Sequence, residues 1–192
     1  LLQLVQKLLS TSNTEIQHLT IDCLQIFNLP WLQPHLDSIH KLINIRQSSA
    51  ILKLLPLNSK RIQEEHRADL IPLIIQVLEP ALMKYDMKKA KKGKVTSQQA
   101  KWQNRVNEVV KYFGGLRKEE MKLFFDKIFR RLLVVVDSSD SSALFGIDFV
   151  ATFNGTNPSK IKHLLSFFKA VFAAQENYVK HFDSIIEIMT II

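Results

Sequence analysis

EHRADLIPLIIQVLEPALMKY, Glu65–Tyr85, is the most hydrophobic helical stretch of the chain, and the fold turns on it. Leu70, Leu73, Ile74, Val77, Leu78 and Leu82 recur at the three- and four-residue spacing of a helix face. The apolar run from Leu70 to Leu78 is interrupted by Pro72 and Gln76. It falls well short of the roughly 18–20 residues that a bilayer span needs. The stretch reads as a core helix of a folded domain. Pro72 is expected in its first turn, where a missing N–H costs nothing, and Pro80 is expected to kink or split the later part.

Upstream, Leu1, Leu4, Val5, Leu8 and Leu9 line one face of a helix. The polar run Ser10–Thr14 ends it, with Asn13 or Thr14 placed to cap the next. That second helix carries Ile16, Leu19, Ile21, Cys23, Leu24 and Phe27 and stops before Pro30. A third begins near Pro34 and runs through Leu36, Ile39, Leu42 and Ile43; a fourth, Ser48–Leu57, is short and cut by Pro56. Downstream, a lysine-rich loop leads to a helix from Ser97 with Trp102, Val106, Val109, Val110 and Phe113, which Gly114-Gly115 end as a C-cap. The next has Glu119 and Glu120 in its first turn, where acids complement the helix dipole, then Phe124, Phe125, Ile128, Leu132 and Leu133. A DSSDSS run, Asp137–Ser142, opens a second break. The break ends at Asn157, an N-cap, with Pro158 at the first helical position. Two last helices hold Ile161, Leu164, Leu165, Phe168 and Val171, then Tyr178, Phe182, Ile185, Ile186 and Met189.

About nine helices, in pairs that recur every ~40 residues, match the period of HEAT-type repeats. The predicted class is all-α, a fragment of a HEAT-like helical-repeat solenoid, with a compact helical bundle as the other arrangement. The expected organisation is helical repeats over 1–86, a basic loop over 87–96, a helical pair over 97–136, a loop over 137–156 and a helical pair over 157–192. Only 5 Gly and 6 Pro are too few turn formers for a many-stranded sandwich, and 46% hydrophobic residues exclude wholesale disorder. Both ends are apolar, Leu1-Leu2 and Ile191-Ile192. The chain therefore reads as one continuous solenoid segment of a longer protein whose neighbours cover those ends.

Catalytic chemistry finds no foothold. His18, His35, His40, His66, His163 and His181 are scattered over different predicted helices, and no HExxH, paired CxxC or GxSxG occurs. The lone Cys23 excludes an internal disulfide framework and, among apolar neighbours, reads as a small buried thiol. Asn154-Gly155-Thr156 matches a glycosylation sequon, taken as chance without a secretory signal. Glu64, Glu65, His66, Arg67 and Asp69 read as a helix start with a local ion pair, because Arg67 argues against a metal. The expectation is a non-enzyme with no cofactor, no metal, no small-molecule substrate and no membrane partner.

Charge carries the functional information. The chain has net charge +8. Between Lys84 and Lys118 stand eleven basic residues against Asp86 and Glu108, a local +9, and the other 157 residues sum to −1. The segment KKAKKGK, Lys88–Lys94, holds five lysines in seven residues. It suits a solvated loop, a nuclear-import signal or contact with nucleic-acid phosphates. Lys101, Arg105 and, one and a half turns further on, Lys111 extend the charge along the helix after the loop, with Arg117 and Lys118 at the start of the next. An antiparallel pair of those helices would present a stripe of roughly 25 Å. Lysines with little arginine suit phosphate contacts without base readout. Trp102, Tyr112 and Phe113 are interleaved, but their helical spacing points to core packing. The candidate RNA-binding set is Lys88, Lys89, Lys91, Lys92, Lys94, Lys101, Arg105, Arg117 and Lys118.

Four segments carry a resemblance. They are LVQKLLSTSNTEIQHLTIDCLQIF (Leu4–Phe27), EEHRADLIPLIIQVLEPALMK (Glu64–Lys84), VVKYFGGLRKEEMKLFFDKIFRRL (Val109–Leu132) and NPSKIKHLLSFFKAVFAA (Asn157–Ala174). In this order they resemble the DRIM (down-regulated in metastasis) family, the large U-three small nucleolar RNA-associated protein twenty of the small-subunit processome. The chain departs from the family pattern at Ala68, where proline is expected, and in the loop KKGKVTSQQ. The resemblance implies a non-catalytic α-helical scaffold for pre-18S ribosomal RNA processing and assembly in the nucleolus, with the basic loop against ribosomal RNA or an acidic neighbour. Pre-ribosomal RNA and ribosome-assembly proteins are then the partners. A protein-binding scaffold of the importin or vesicle-coat kind, and docking on anionic membranes, are the other functions the residues allow.

Overall fold

The computed structural model describes residues 1–46, 49–58, 62–83, 97–132 and 169–171. Every regular element among them is helical: α1 (Leu2–Lys7), α2 (Thr14–Ile26), α3 (Leu36–Ile43), α4 (Arg67–Met83), α5 (Ser97–Phe113) and α6 (Lys118–Leu132). Short 3₁₀ turns, Leu8–Ser10, Gln33–His35, Asn44–Arg46, Ser49–Leu54 and Glu64–His66, extend or join them. The all-α class holds. The break at 137–156, the sequon and most of the last two predicted helices lie outside the described residues, as does the lysine loop at 87–96. The chain divides into two compact units, Leu1–Gly115 and Leu116–Ile192.

In the first unit α4 is the centre, as its sequence requires. Leu70, Ile71, Leu73, Ile74, Ile75, Val77, Leu78, Ala81 and Leu82 are all buried, so the helix is covered nearly all round. Each large side chain among them stabilises by about 1.5–3 kcal/mol relative to exposure. α3, α5 and the turn Leu8–Ser10 pack on α4. The placement of its prolines differs from expectation. The turn Glu64–His66 delays the α-helix to Arg67, so Pro72 falls in the second turn, and Pro80 does not split the helix. Both positions are tolerated for one reason: proline removes an N–H that would bond the carbonyl four residues back. Those carbonyls belong to Ala68, which is exposed, and Gln76, which is half-buried, so water can reach them.

α2 is capped as expected, with Asn13 Oδ1 accepting from the N–H of Glu15 at 2.9 Å and of Ile16 at 3.4 Å. Its inward face is only partly the expected one: Ile21 and Leu24 are buried as expected, while Ile16, Leu19 and Phe27 are exposed. Gln17, Thr20, Ile21 and Leu24 are buried, whereas Leu19 and Ile26 are 63% and 83% exposed. Cys23 is exposed, which corrects the buried-thiol reading. α2 carries two apolar stripes, and its polar residues decide between them. Gln17 Nε2 donates to Leu9 O at 2.6 Å and Val77 O at 3.1 Å, joining the end of α1 and α4 to α2. Ser10 Oγ donates to Oε2 of the buried Glu79 at 2.8 Å and repeats the tie. The helix ends beyond Phe27 at Asn28, left-handed at φ 49°, a conformation asparagine tolerates better than most residues.

The fourth predicted helix is a 3₁₀ turn, Ser49–Leu54. Pro56 bars Leu55 from the α region, and what remains is too short to hold an α-helix unaided. Three side-chain or backbone features fix the following loop instead. The Arg67 guanidinium donates to Leu57 O at 2.8 Å and the Tyr112 hydroxyl to Leu55 O at 2.7 Å. Gly115 lets the chain pass close, since a Cβ there would stand 3.3 Å from Tyr112 O and 3.4 Å from Leu57 Cβ. In the second unit, α6 buries Met121, Phe124, Phe125 and Ile128, and Ala170 and Val171 are buried in a helical stretch at 169–171.

Candidate nucleic-acid interface

Five of the eleven basic residues of the Lys84–Lys118 window fall within described structure; Lys88, Lys89, Lys91, Lys92 and Lys94 lie outside it, as does Lys84. The five are Lys101, Arg105 and Lys111 on α5, and Arg117 and Lys118 at the start of α6. α5 turns Trp102, Val106, Val109, Val110 and Phe113 inward. The aromatic residues therefore serve packing: Trp102 and Phe113 are buried, and the half-buried Tyr112 bonds Leu55. Burial raises the Tyr112 phenol far above its ordinary range, so it stays a donor.

Lys101, Arg105, Glu108 and Lys111 follow at helical spacing along the outer flank of α5. All are exposed except the half-buried Arg105. Lys111, which extends the stripe in the sequence, stands outside the nine candidate RNA-binding residues. Glu108 sits within the strip and removes one of its three charges, which leaves +2.

Arg117 and Lys118 are exposed and belong to the second unit. Arg117 is the N-cap residue of α6, and its backbone N–H donates to Glu120 Oε2 at 2.8 Å, one half of a capping box. Glu119 and Glu120 complement the helix dipole and offset the two cations beside them. The described part of the window thus carries modest positive charge in each unit, and the dense charge of the sequence stands in Lys88–Lys94.

The acid–base group before α4 behaves as a helix start. Glu65 Oε1 lies 3.8 Å from His66 Nε2, and Arg67 is buried on Leu57 O. Four histidines that the sequence scatters come together in pairs. His35 and His66 meet edge-on at 6.3 Å between ring centroids, and His18 and His40 lie 3.0 Å apart between Nδ1 atoms. Nothing in the linear spacing announces either pair. No described helix is long and apolar enough to cross a membrane.

No solved structure matches the chain. Residues 1–191 match the family model described as U3 small nucleolar RNA-associated protein 20, N-terminal. That match runs through every segment on which the resemblance rested, and with it the chain belongs to the family of U3 small nucleolar RNA-associated protein 20, N-terminal.

Proposed function

We propose that the chain is a non-catalytic helical scaffold of the small-subunit processome, acting in the nucleolus on pre-18S ribosomal RNA processing and assembly. It works as one continuous solenoid segment, and it holds pre-ribosomal RNA by its phosphates. The RNA-binding residues are Lys88, Lys89, Lys91, Lys92, Lys94, Lys101, Arg105, Arg117 and Lys118. Family membership supports the setting. The observation that carries the contact is the concentration of the whole positive charge, +9, into one window of an otherwise neutral chain. Lysine ammonium groups are point charges that neutralise phosphates and release counterions, without reading bases.

The test is a titration of the chain with a pre-18S ribosomal RNA fragment and with an unrelated RNA of equal length, across a range of salt. Replacing the five lysines of Lys88–Lys94 with Gln lowers affinity for both RNAs. It flattens the slope of log affinity against log salt by up to ~3.5, at about 0.7 per single-strand phosphate contact. An unchanged slope sinks the proposal.

A further inference from the structure

α2 carries a second apolar stripe that the core does not use. Ile16, Leu19, Cys23 and Ile26 follow at spacings of three, four and three, which places them on one face of the helix. The core takes the other face, through Gln17, Thr20, Ile21 and Leu24. Ile16, Leu19 and Ile26 are 38%, 63% and 83% exposed, and Cys23 is exposed between them. A single exposed leucine marks nothing, but a continuous apolar row in water marks a contact surface.

The spacing tells what shape covers the row. Alternation of three and four is the seam that packs against another α-helix, each seam residue inserting between side chains of the partner. From Ile16 to Ile26 the seam runs about 15 Å, at 1.5 Å per residue. That suits one docked helix and is too short for a free-standing coiled coil.

Charge tells what that helix carries. Glu15 precedes Ile16 and Asp22 precedes Cys23, each in a position that flanks such a seam. Both acids are exposed. His40 Nε2 stands 3.3 Å from Asp22 Oδ1 and holds that carboxylate at the rim, still 57% exposed. Between Lys7 and Lys41 the chain holds Glu15, Asp22 and Asp37 and no Lys or Arg, a local −3 within a protein of +8. Acids beside a seam select bases on the facing helix and reject RNA phosphates and anionic lipid headgroups. A second copy of α2 brings acids and neither Lys nor Arg, so self-pairing gains no ion pair.

We propose that this face of α2 docks an amphipathic helix of a partner protein, apolar along its seam and flanked by lysine or arginine. The surface is separate in sequence from the basic window and does not depend on the RNA contact.

The experiment titrates the full 192-residue chain with two three-heptad probe peptides that share leucine at both seam positions. One carries Lys and the other Glu at the flanking positions, and that like charge keeps each probe from pairing with itself. The Lys probe binds about tenfold tighter, although the overall charge of +8 favours the Glu probe. Glu15→Gln/Asp22→Asn abolishes the preference, and Leu19→Ser/Ile26→Ser weakens the Lys probe about tenfold. Cys23, the one thiol of the chain, reports the place of binding. Iodoacetamide alkylates it in the free chain, and the Lys probe slows the reaction in proportion to its occupancy. Tighter binding of the Glu probe, an alkylation rate unchanged by saturating Lys probe, or a Cys23 unreactive in the free chain overturns the proposal. So does protection of Cys23 by anionic vesicles or by concentrating the chain alone, which would give the face to lipid or to a second copy. The alkylation is read on the unsubstituted chain, so the outcome stands even where a variant folds poorly.

Discussion

Gln17 shows how one polar side chain chooses a helix face. Turned inward, it satisfies the carbonyls of Leu9 and Val77, two acceptors buried at the meeting of three elements. Gln17→Leu adds apolar surface to the core yet removes that donor from both, and a loss of about 2–3 kcal/mol is expected in urea denaturation. A more stable variant would show that burial, not the amide, orients α2. His35 offers a second test, through pH. Burial, then the neighbouring His66, holds its proton affinity below the ordinary imidazole value of 6.5. The folded pKa is lowered, so below 6.5 the unfolded chain binds more protons. The associated stability is full above 6.5 and is lost as pH falls below it. Thermal melts from neutral pH to about pH 5 should therefore show a smaller acid loss for His35→Leu than for the natural chain.

At the scale of elements, the loop 55–58 is held from two helices. Arg67, at the start of α4, grips Leu57 O, and Tyr112, near the end of α5, grips Leu55 O. Tyr112→Phe should cost about 1 kcal/mol and Arg67→Met about 2 kcal/mol. Both hold one short segment, so the double variant should fall short of or exceed the sum by at least ~0.5 kcal/mol. Strict additivity in chemical denaturation would mean that the two anchors do not share the loop. This loop also marks where the sequence stops being legible. α4 and α5 could be read because long apolar periodicity and the Gly114-Gly115 stop are local signals. The segment 49–58 could not, because its conformation is set by Pro56 together with partners at positions 67, 112 and 115. The inward stripe of α2 was hidden for the same reason, since the carbonyl of Val77 that selects Gln17 lies 60 residues away.

For the whole molecule, the question is whether charge acts by amount or by position. The position of the window was legible in full, because charge is a property of composition along the chain. The geometry around it was not: Glu108 on the flank of α5 and Glu119 and Glu120 on α6 temper the cations that flank the loop. Two variants with the same net charge separate the possibilities. One replaces the five lysines of Lys88–Lys94 with Gln; the other replaces Lys7, Lys41, Lys53, Lys122 and Lys169, all exposed and all outside the window. Each lowers the net charge from +8 to +3. If long-range attraction by total charge drives RNA binding, both variants weaken it alike, and the effect fades beyond a Debye length of about 8 Å at physiological salt. If phosphates contact the loop, only the first variant flattens the salt slope, while the second shifts affinity modestly and leaves the slope near that of the natural chain. Equal slopes for the two variants would refute a localised site, whatever their affinities. The lysines of the loop are expected to account for most of the slope, because they are the densest run of charge in the window, five lysines in seven residues with no carboxylate among them.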